Sequence, residues 1–221
     1  MALPAHHPVE DQLASYAAGG MAEAPALVIA THLALCPLCR RQVADFEALG
    51  GALLADLAEE PPAAGSLTQT LAKLDGVSRE KPKPAAKVVP AGARPAVVPQ
   101  PLRDYMDRAL AEKSGWRRAM PGLRTLKLKA EGAKVWLMEI EPGRVIPHHG
   151  HSGSEMVQVL TGGYHDGAAA YGPGDLHLSG PETIHEPVAD PGDPCLCLVT
   201  VEGSLRLSSL LGRVLSRLLG F

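Results

Sequence analysis

The chain has 221 residues, enough for one large domain or two small ones, and is 46% hydrophobic but only 4% aromatic, so its core must be mostly Ala, Leu and Val. A formal net charge of −3 and a pI near 6.3 exclude a nucleic-acid binder held by bulk positive charge. All four Cys fall in two close pairs, Cys36/Cys39 and Cys195/Cys197, a spacing that suits metal or redox chemistry in a reducing cytoplasm and not a secreted disulfide framework.

The opening residues lack the basic, apolar and small-residue succession of a secretory signal, and the longest apolar stretches are broken by Pro, His, Arg or Ser, so neither export nor a membrane span is expected. Residues 10–78 read as helices. Asp11–Ala18 is short, and Ala26–Leu35 follows Pro25, which suits a first helical turn. From Pro37 to Leu57 apolar residues recur at Leu38, Val43, Phe46, Leu49, Leu53, Leu54 and Leu57, spaced for one helix face. Ser66 can cap a further helix through Leu74, stopped by Gly76. Residues 79–101 change character, with six Pro, five Lys or Arg and one acid and no apolar period, and read as an extended, solvated linker. From Leu123 the pattern alternates in short runs, among them Val135–Glu139, Glu155–Leu160, Tyr164–Ala170, Asp175–Leu178 and Cys195–Val201, separated by Pro/Gly turns. Many short strands at regular spacing mean an all-β sandwich or barrel. Leu207–Phe221 returns to helical spacing. The predicted division is 1–78 helical, 79–101 linker and 102–221 a β domain.

Two donor clusters stand out. His32, Cys36 and Cys39 fall at i, i+4 and i+7, one face of a helix. They need one more donor to close the tetrahedron of a structural zinc ion, and either His6 or His7 can supply it. Cys-x2-Cys alone equally suits a redox dithiol; the His four residues earlier favours zinc. The segment Thr31-His32-Leu33-Ala34-Leu35-Cys36-Pro37-Leu38-Cys39 resembles the His-x3-Cys-x2-Cys motif of zinc-dependent anti-sigma factors. That resemblance implies a small helical bundle that clamps an extracytoplasmic-function sigma factor. Its register carries the fourth ligand to His7, and the helical face with Val28, Leu35, Val43 and Phe46 is expected to cover the sigma factor.

The second cluster holds only nitrogen and oxygen donors. His149 and His151 share a strand face, Glu155 follows across a Gly153 turn, and His185 arrives from a distant strand. Gly143-x5-His149-x-His151-x3-Glu155-x6-Gly162 resembles the first cupin motif, and Gly174-Asp175 through His185 the second. The resemblance implies a jelly-roll barrel with a metal inside. Three His and one Glu suit Zn, Fe, Mn or Ni. His148 and His165 are expected to be non-ligands. A zinc anti-sigma domain joined to a one-site cupin resembles the ChrR-type anti-sigma factors over nearly the whole chain. This implies a cytoplasmic, non-enzymatic regulator that inhibits a sigma factor and releases it when singlet oxygen or an organic hydroperoxide acts on a zinc-loaded cupin half. It binds no nucleic acid and no membrane directly. The competing reading is a cupin enzyme such as a dioxygenase, for which the sequence shows no substrate-binding Arg beyond Arg144. Cys195 and Cys197 share a strand face and read as buried, inert thiols.

Overall fold

The computed structural model describes residues 3–75, 98–112 and 115–207. Most of the predicted linker, and the predicted C-terminal helix beyond Leu207, lie outside these residues.

The N-terminal half consists of α1 (Glu10–Ala17), α2 (Glu23–Leu35), α3 (Pro37–Ala55) and α4 (Ser66–Asp75). In α1 the Gln12 side chain accepts a hydrogen bond from the Val9 N–H, and Glu10 and Asp11 sit in the positively polarised first turn. Helix α2 is apolar all round, with Ala24, Leu27, Val28, Ile29 and Leu33 all buried. A helix of that kind has to be covered on every side. Here α1 and α3 cover one side and two strands of the C-terminal half the other. Its buried Thr31 hydroxyl donates to the Leu27 carbonyl. Each fully buried Leu, Val or Ile contributes about 1.5–3 kcal/mol, so α2 is the joint that binds the two halves. Val28 and Val43, expected on a partner-binding face, are therefore buried, and Leu35 and Phe46 pack against the same core. The exposed apolar residues lie further on, at Leu49, Leu53, Leu54 and Leu57, and along α4 at Leu67, Leu71 and Leu74.

Helix α2 stops at Cys36 because Pro37 disfavours a helical residue before it, and Cys36 is extended (φ −111°, ψ 105°). Pro37 then occupies the first turn of α3, where its missing N–H costs nothing. The expected single stripe of donors is thus broken across a helix corner.

The C-terminal half opens with α5 (Leu102–Ala111), whose Leu102, Met106 and Ala109 are buried. Val98, assigned from the sequence to the solvated linker, is also buried, and its carbonyl accepts from the Arg103 side chain. The strands follow as β1 (Arg117–Met120), β2 (Leu123–Leu128), β3 (Lys134–Ile140), β4 (His149–His151), β5 (Glu155–Thr161), β6 (Tyr164–Asp166), β7 (Ala169–Tyr171), β8 (Leu176–Ser179), β9 (Ile184–His185), β10 (Val188–Ala189), β11 (Cys195–Val201) and β12 (Leu205–Leu207). A six-stranded sheet of order β1-β2-β3-β11-β5-β8 forms one wall, and two three-stranded sheets, β10-β6-β7 and β12-β4-β9, complete an antiparallel barrel. Side chains alternate across the large sheet. Leu196 and Leu198 of β11, with Met156 and Leu160 of β5, join the core shared with the helices. Cys195, Cys197 and Val199, with Val157 and Val159, face the interior of the barrel.

The halves also meet through polar contacts. Glu23 accepts from the Tyr105 hydroxyl at 2.6 Å and from the Glu131 N–H at 2.7 Å, and the Tyr105 bond is the main cause holding its carboxyl below the ordinary range. Gly132 makes the close approach possible: its φ is +93°, and a Cβ there would lie 2.6 Å from that of Ala22.

Candidate metal centres

The first centre forms at the corner between α2 and α3. His32 comes from the last turn of α2, Cys36 caps α3, and Cys39 lies in its first turn. The Cys36 sulfur accepts from the Cys39 N–H. His7 arrives from the arm before α1, its Nδ1 3.5 Å from Cys36 Sγ and 3.4 Å from Cys39 Sγ. His6, the alternative from sequence, points elsewhere, its ring 4.6 Å from that of Tyr171. One donor atom from each of His7, His32, Cys36 and Cys39 lies within 4.8 Å of every other. A tetrahedral ion with zinc-like bond lengths separates its ligand atoms by about 3.3–3.8 Å, which is the observed sulfur–nitrogen spacing. His32 Nδ1 lies 3.1 Å from Gln158 Oε1, while its buried Nε2 has no hydrogen-bond partner. Gln158 Oε1 only accepts, so Nδ1 carries the proton and Nε2 offers a lone pair to a cation. Burial first, and then the neighbouring Cys36, push the Cys39 thiol up to about 12. The Cys39 thiol therefore stays protonated until a metal displaces its proton.

The second centre lies inside the barrel. β4 supplies His149 and His151, β5 supplies Glu155, and β9 supplies His185, which pairs in register with His149. All four are at most 7% exposed. His149 Nδ1 donates to the Pro147 carbonyl at 2.7 Å, and His185 Nδ1 donates to Asp166 Oδ2 at 2.8 Å. Both rings consequently turn their Nε2 atoms inward, 3.0 Å apart. Glu155 Oε2 is 3.3 Å from His151 Nε2 and 3.5 Å from His185 Nε2. Neither Glu155 Oε2 nor His151 Nε2 has a hydrogen-bond partner. Three imidazole nitrogens and a buried carboxylate oxygen converge on one point, so the donor set fits a metal ion. Burial, then the charge His185 can carry, drives the His149 pKa down to about 4, so the His149 ring is itself neutral at neutral pH. Burial alone would raise the Glu155 carboxyl, but the surrounding imidazoles, His151 foremost, outweigh it and hold it below the usual range.

Sequence reasoning missed the residues behind the donors. Asp166 orients His185, the arrangement that fixes a ligand's tautomer in metal sites. It also forms a three-residue donor group with His177 and His185. His177 Nδ1 shares a hydrogen bond with the Tyr164 hydroxyl at 2.9 Å. Neither His148 nor His165 belongs to a donor group among the described residues; His165 Nδ1 instead lies 3.1 Å from Asp190 Oδ1. Cys195 and Cys197 are buried on the barrel's inner face. The Cys197 thiol is raised well above its ordinary range, first by its hydrogen bond with Cys195 and then by burial, with Glu155 adding to the effect. It is a neutral thiol.

Comparison with known proteins places the chain in a family. Residues 107–204 match the model of the ChrR Cupin-like domain. The anti-sigma-E factor ChrR of Cereibacter sphaeroides is 37% identical over 210 residues, which cover 95% of this chain and 95% of that protein. The crystal structure of Rhodobacter sphaeroides SigE in complex with the anti-sigma ChrR superposes with a TM-score of 0.72 at 35% identity, covering 89% of this chain and 98% of that one. Similarity of this extent runs through the helical half and the barrel alike, and the chain belongs to the ChrR family of anti-sigma factors.

Proposed function

We propose that this chain binds and inhibits an extracytoplasmic-function sigma factor through its helical half, and releases it when an oxidative signal acts on the barrel. The observation that carries this reading is the superposition along 89% of the chain on a ChrR protein crystallised in complex with SigE. The exposed leucines of α3 and α4 supply an apolar surface suited to such a partner. In this reading residues 1–78 are the inhibitory unit, 79–101 a tether and 102–221 the sensor. His7, His32, Cys36 and Cys39 hold a structural zinc ion. His149, His151, Glu155 and His185 hold zinc, or iron, manganese or nickel, in the barrel. A zinc ion in the first centre would tie the N-terminal arm to the α2–α3 corner; a metal in the second would cross-link β4, β5 and β9. The protein works in the cytoplasm, where sigma factors meet polymerase. Among the described residues no helix is long and apolar enough to cross a membrane.

The sensor is not an enzyme in this reading. Singlet oxygen or an organic hydroperoxide changes the barrel metal or its surroundings, and that change must favour the released state over the bound one. The first test is a tagged pull-down from unstressed host lysate, read by mass spectrometry. A stoichiometric alternative sigma factor is expected. Recovery of none, with both metals present, would move a cupin dioxygenase to the front.

A further inference from the structure

We propose that the barrel completes the N-terminal metal centre: Gln158 and Asp175 are positioning residues that hold two of its four donors, His32 and His7. The inference rests on reading the first cluster as a metal site.

Gln158 sits in the middle of β5, fully buried. Its Nε2 donates to the Val159 carbonyl at 3.1 Å, which fixes the amide with Oε1 toward His32 Nδ1 at 3.1 Å. That contact sets both the tautomer and the ring angle of His32, and its unpartnered Nε2 is left as the donor atom.

Asp175, in the turn before β8, does the same for the arm. Its Oδ1 accepts from the N–H groups of Ala5 at 2.6 Å and His6 at 2.9 Å, and its Oδ2 accepts from the Gly172 N–H at 2.8 Å. The Leu176 N–H donates to the His6 carbonyl at 3.1 Å. Gly174 leaves room for the arm: its φ is +97°, and a Cβ there would lie 2.8 Å from Pro4 Cγ. Residues 4–6 are thus laid along the edge of the barrel, and the next residue is His7.

The same strand serves both centres. Glu155 and Gln158 are three residues apart, so they project to opposite faces of β5. Glu155 faces the barrel metal position and Gln158 faces His32. On the arm side, the His6 ring lies against Tyr171, the Tyr171 ring stacks on His177 at 4.3 Å, and His177 meets the barrel donor His185 edge-on at 5.9 Å. Each route joins a residue that orders the first centre to a donor of the second. Loosening the barrel therefore loosens the grip of the first centre on its metal.

Outer partners of metal ligands are typically worth 10–100-fold in affinity. The test uses the full chain loaded with cobalt(II), because only the first centre holds thiolates and so gives thiolate-to-cobalt charge transfer. Affinity is read from that band in competition with a chelator, and total cobalt per chain reports the barrel site. Gln158→Leu and Asp175→Ala are each expected to weaken the sulfur site at least tenfold while the barrel keeps its cobalt. Gln158→Glu, which keeps an acceptor for His32, restores the affinity. A misfolded variant loses both sites, which separates collapse from mispositioning, and Asp175→Ala stands as an independent arm if Gln158→Leu fails to fold. Wild-type affinity in both variants, with the barrel loaded, overturns the inference. A wild-type chain with no charge-transfer band overturns the metal reading beneath it as well.

Discussion

At the scale of single residues, the donors are held by groups whose importance only the fold reveals. Asp166 is the clearest case in the barrel. Replacing it with Ala leaves His185 Nδ1 without its acceptor at 2.8 Å, and the barrel metal should bind 10–100-fold more weakly, measured by chelator competition. An unchanged affinity would show that His185 is oriented by β9 alone. The metal-free barrel should also respond to acid through His149. Its imidazole takes a proton near pH 6.5 in the unfolded chain but only at about 4 when folded. The stabilising preference for the neutral ring is thus fully present above about pH 6.5 and lost as pH falls toward 4. The thermal midpoint of the apo chain should fall across that window, and less so in His149→Gln; equal slopes in the two proteins would refute the assignment. Six of the eight candidate donors stand close together in the sequence: His32 to Cys39 spans one helix corner, and His149 to Glu155 one turn between strands, whereas the choice of His7 over His6 rested on the resemblance and His185 lies 30 residues beyond Glu155. Gln158, Asp166 and Asp175 were not legible in the sequence. Gln158 meets His32 across 126 positions and Asp175 meets His6 across 169, and no periodicity marks such a pairing.

At the scale of elements, α2 explains what the sequence pattern could and could not tell. Pro25, Pro37 and the run of apolar residues mark the helix well. A helix apolar on every side has no preferred face, however, so the pattern is silent about what covers it. That is why the pattern alone puts Val28 and Val43 on a partner-facing surface when they are core. Helix α5 and strand β1 were missed for a related reason. α5 follows a Pro-rich stretch and carries a narrow stripe of Leu102, Met106 and Ala109, and β1 is four residues long and rich in Arg. The exposed stripe beyond Phe46 carries a prediction of its own. Leu53→Asp combined with Leu54→Asp alters residues that are 64% and 69% exposed. The pair should leave the urea midpoint nearly unchanged and weaken sigma binding at least tenfold by titration calorimetry. Intact binding would move the interface off this part of α3. The turn between β2 and β3 provides a stability test. Gly132→Ala forces a left-handed backbone on Ala, at about 1–2 kcal/mol, and drives its Cβ into Ala22. Its urea midpoint should drop by more than the backbone term alone; a wild-type midpoint would mean the halves are not closed at this point in solution.

At the scale of the whole molecule, the helical half and the barrel share one core through α2, β5 and β11. In the proposed function a signal received in the barrel would therefore meet the helical half directly, by contacts that do not depend on residues 79–97. His149→Ala should preserve sigma inhibition in unstressed cells, because the helical half keeps its own donors, and should abolish induction of a sigma-dependent reporter by singlet oxygen. Normal induction would remove the sensor role from the barrel metal.

The two-faced strand β5 also limits how this chain can change in length. Between Glu155 and Gln158 an inserted or deleted residue reverses which face one of them meets, so a single codon gained or lost there dismantles two centres that lie on opposite sides of a wall. A turn that carries neither a donor nor a residue that holds one escapes this rule, since a longer loop adds only a modest closure cost. In this chain length is thus locked between Glu155 and Gln158, a stretch of four residues.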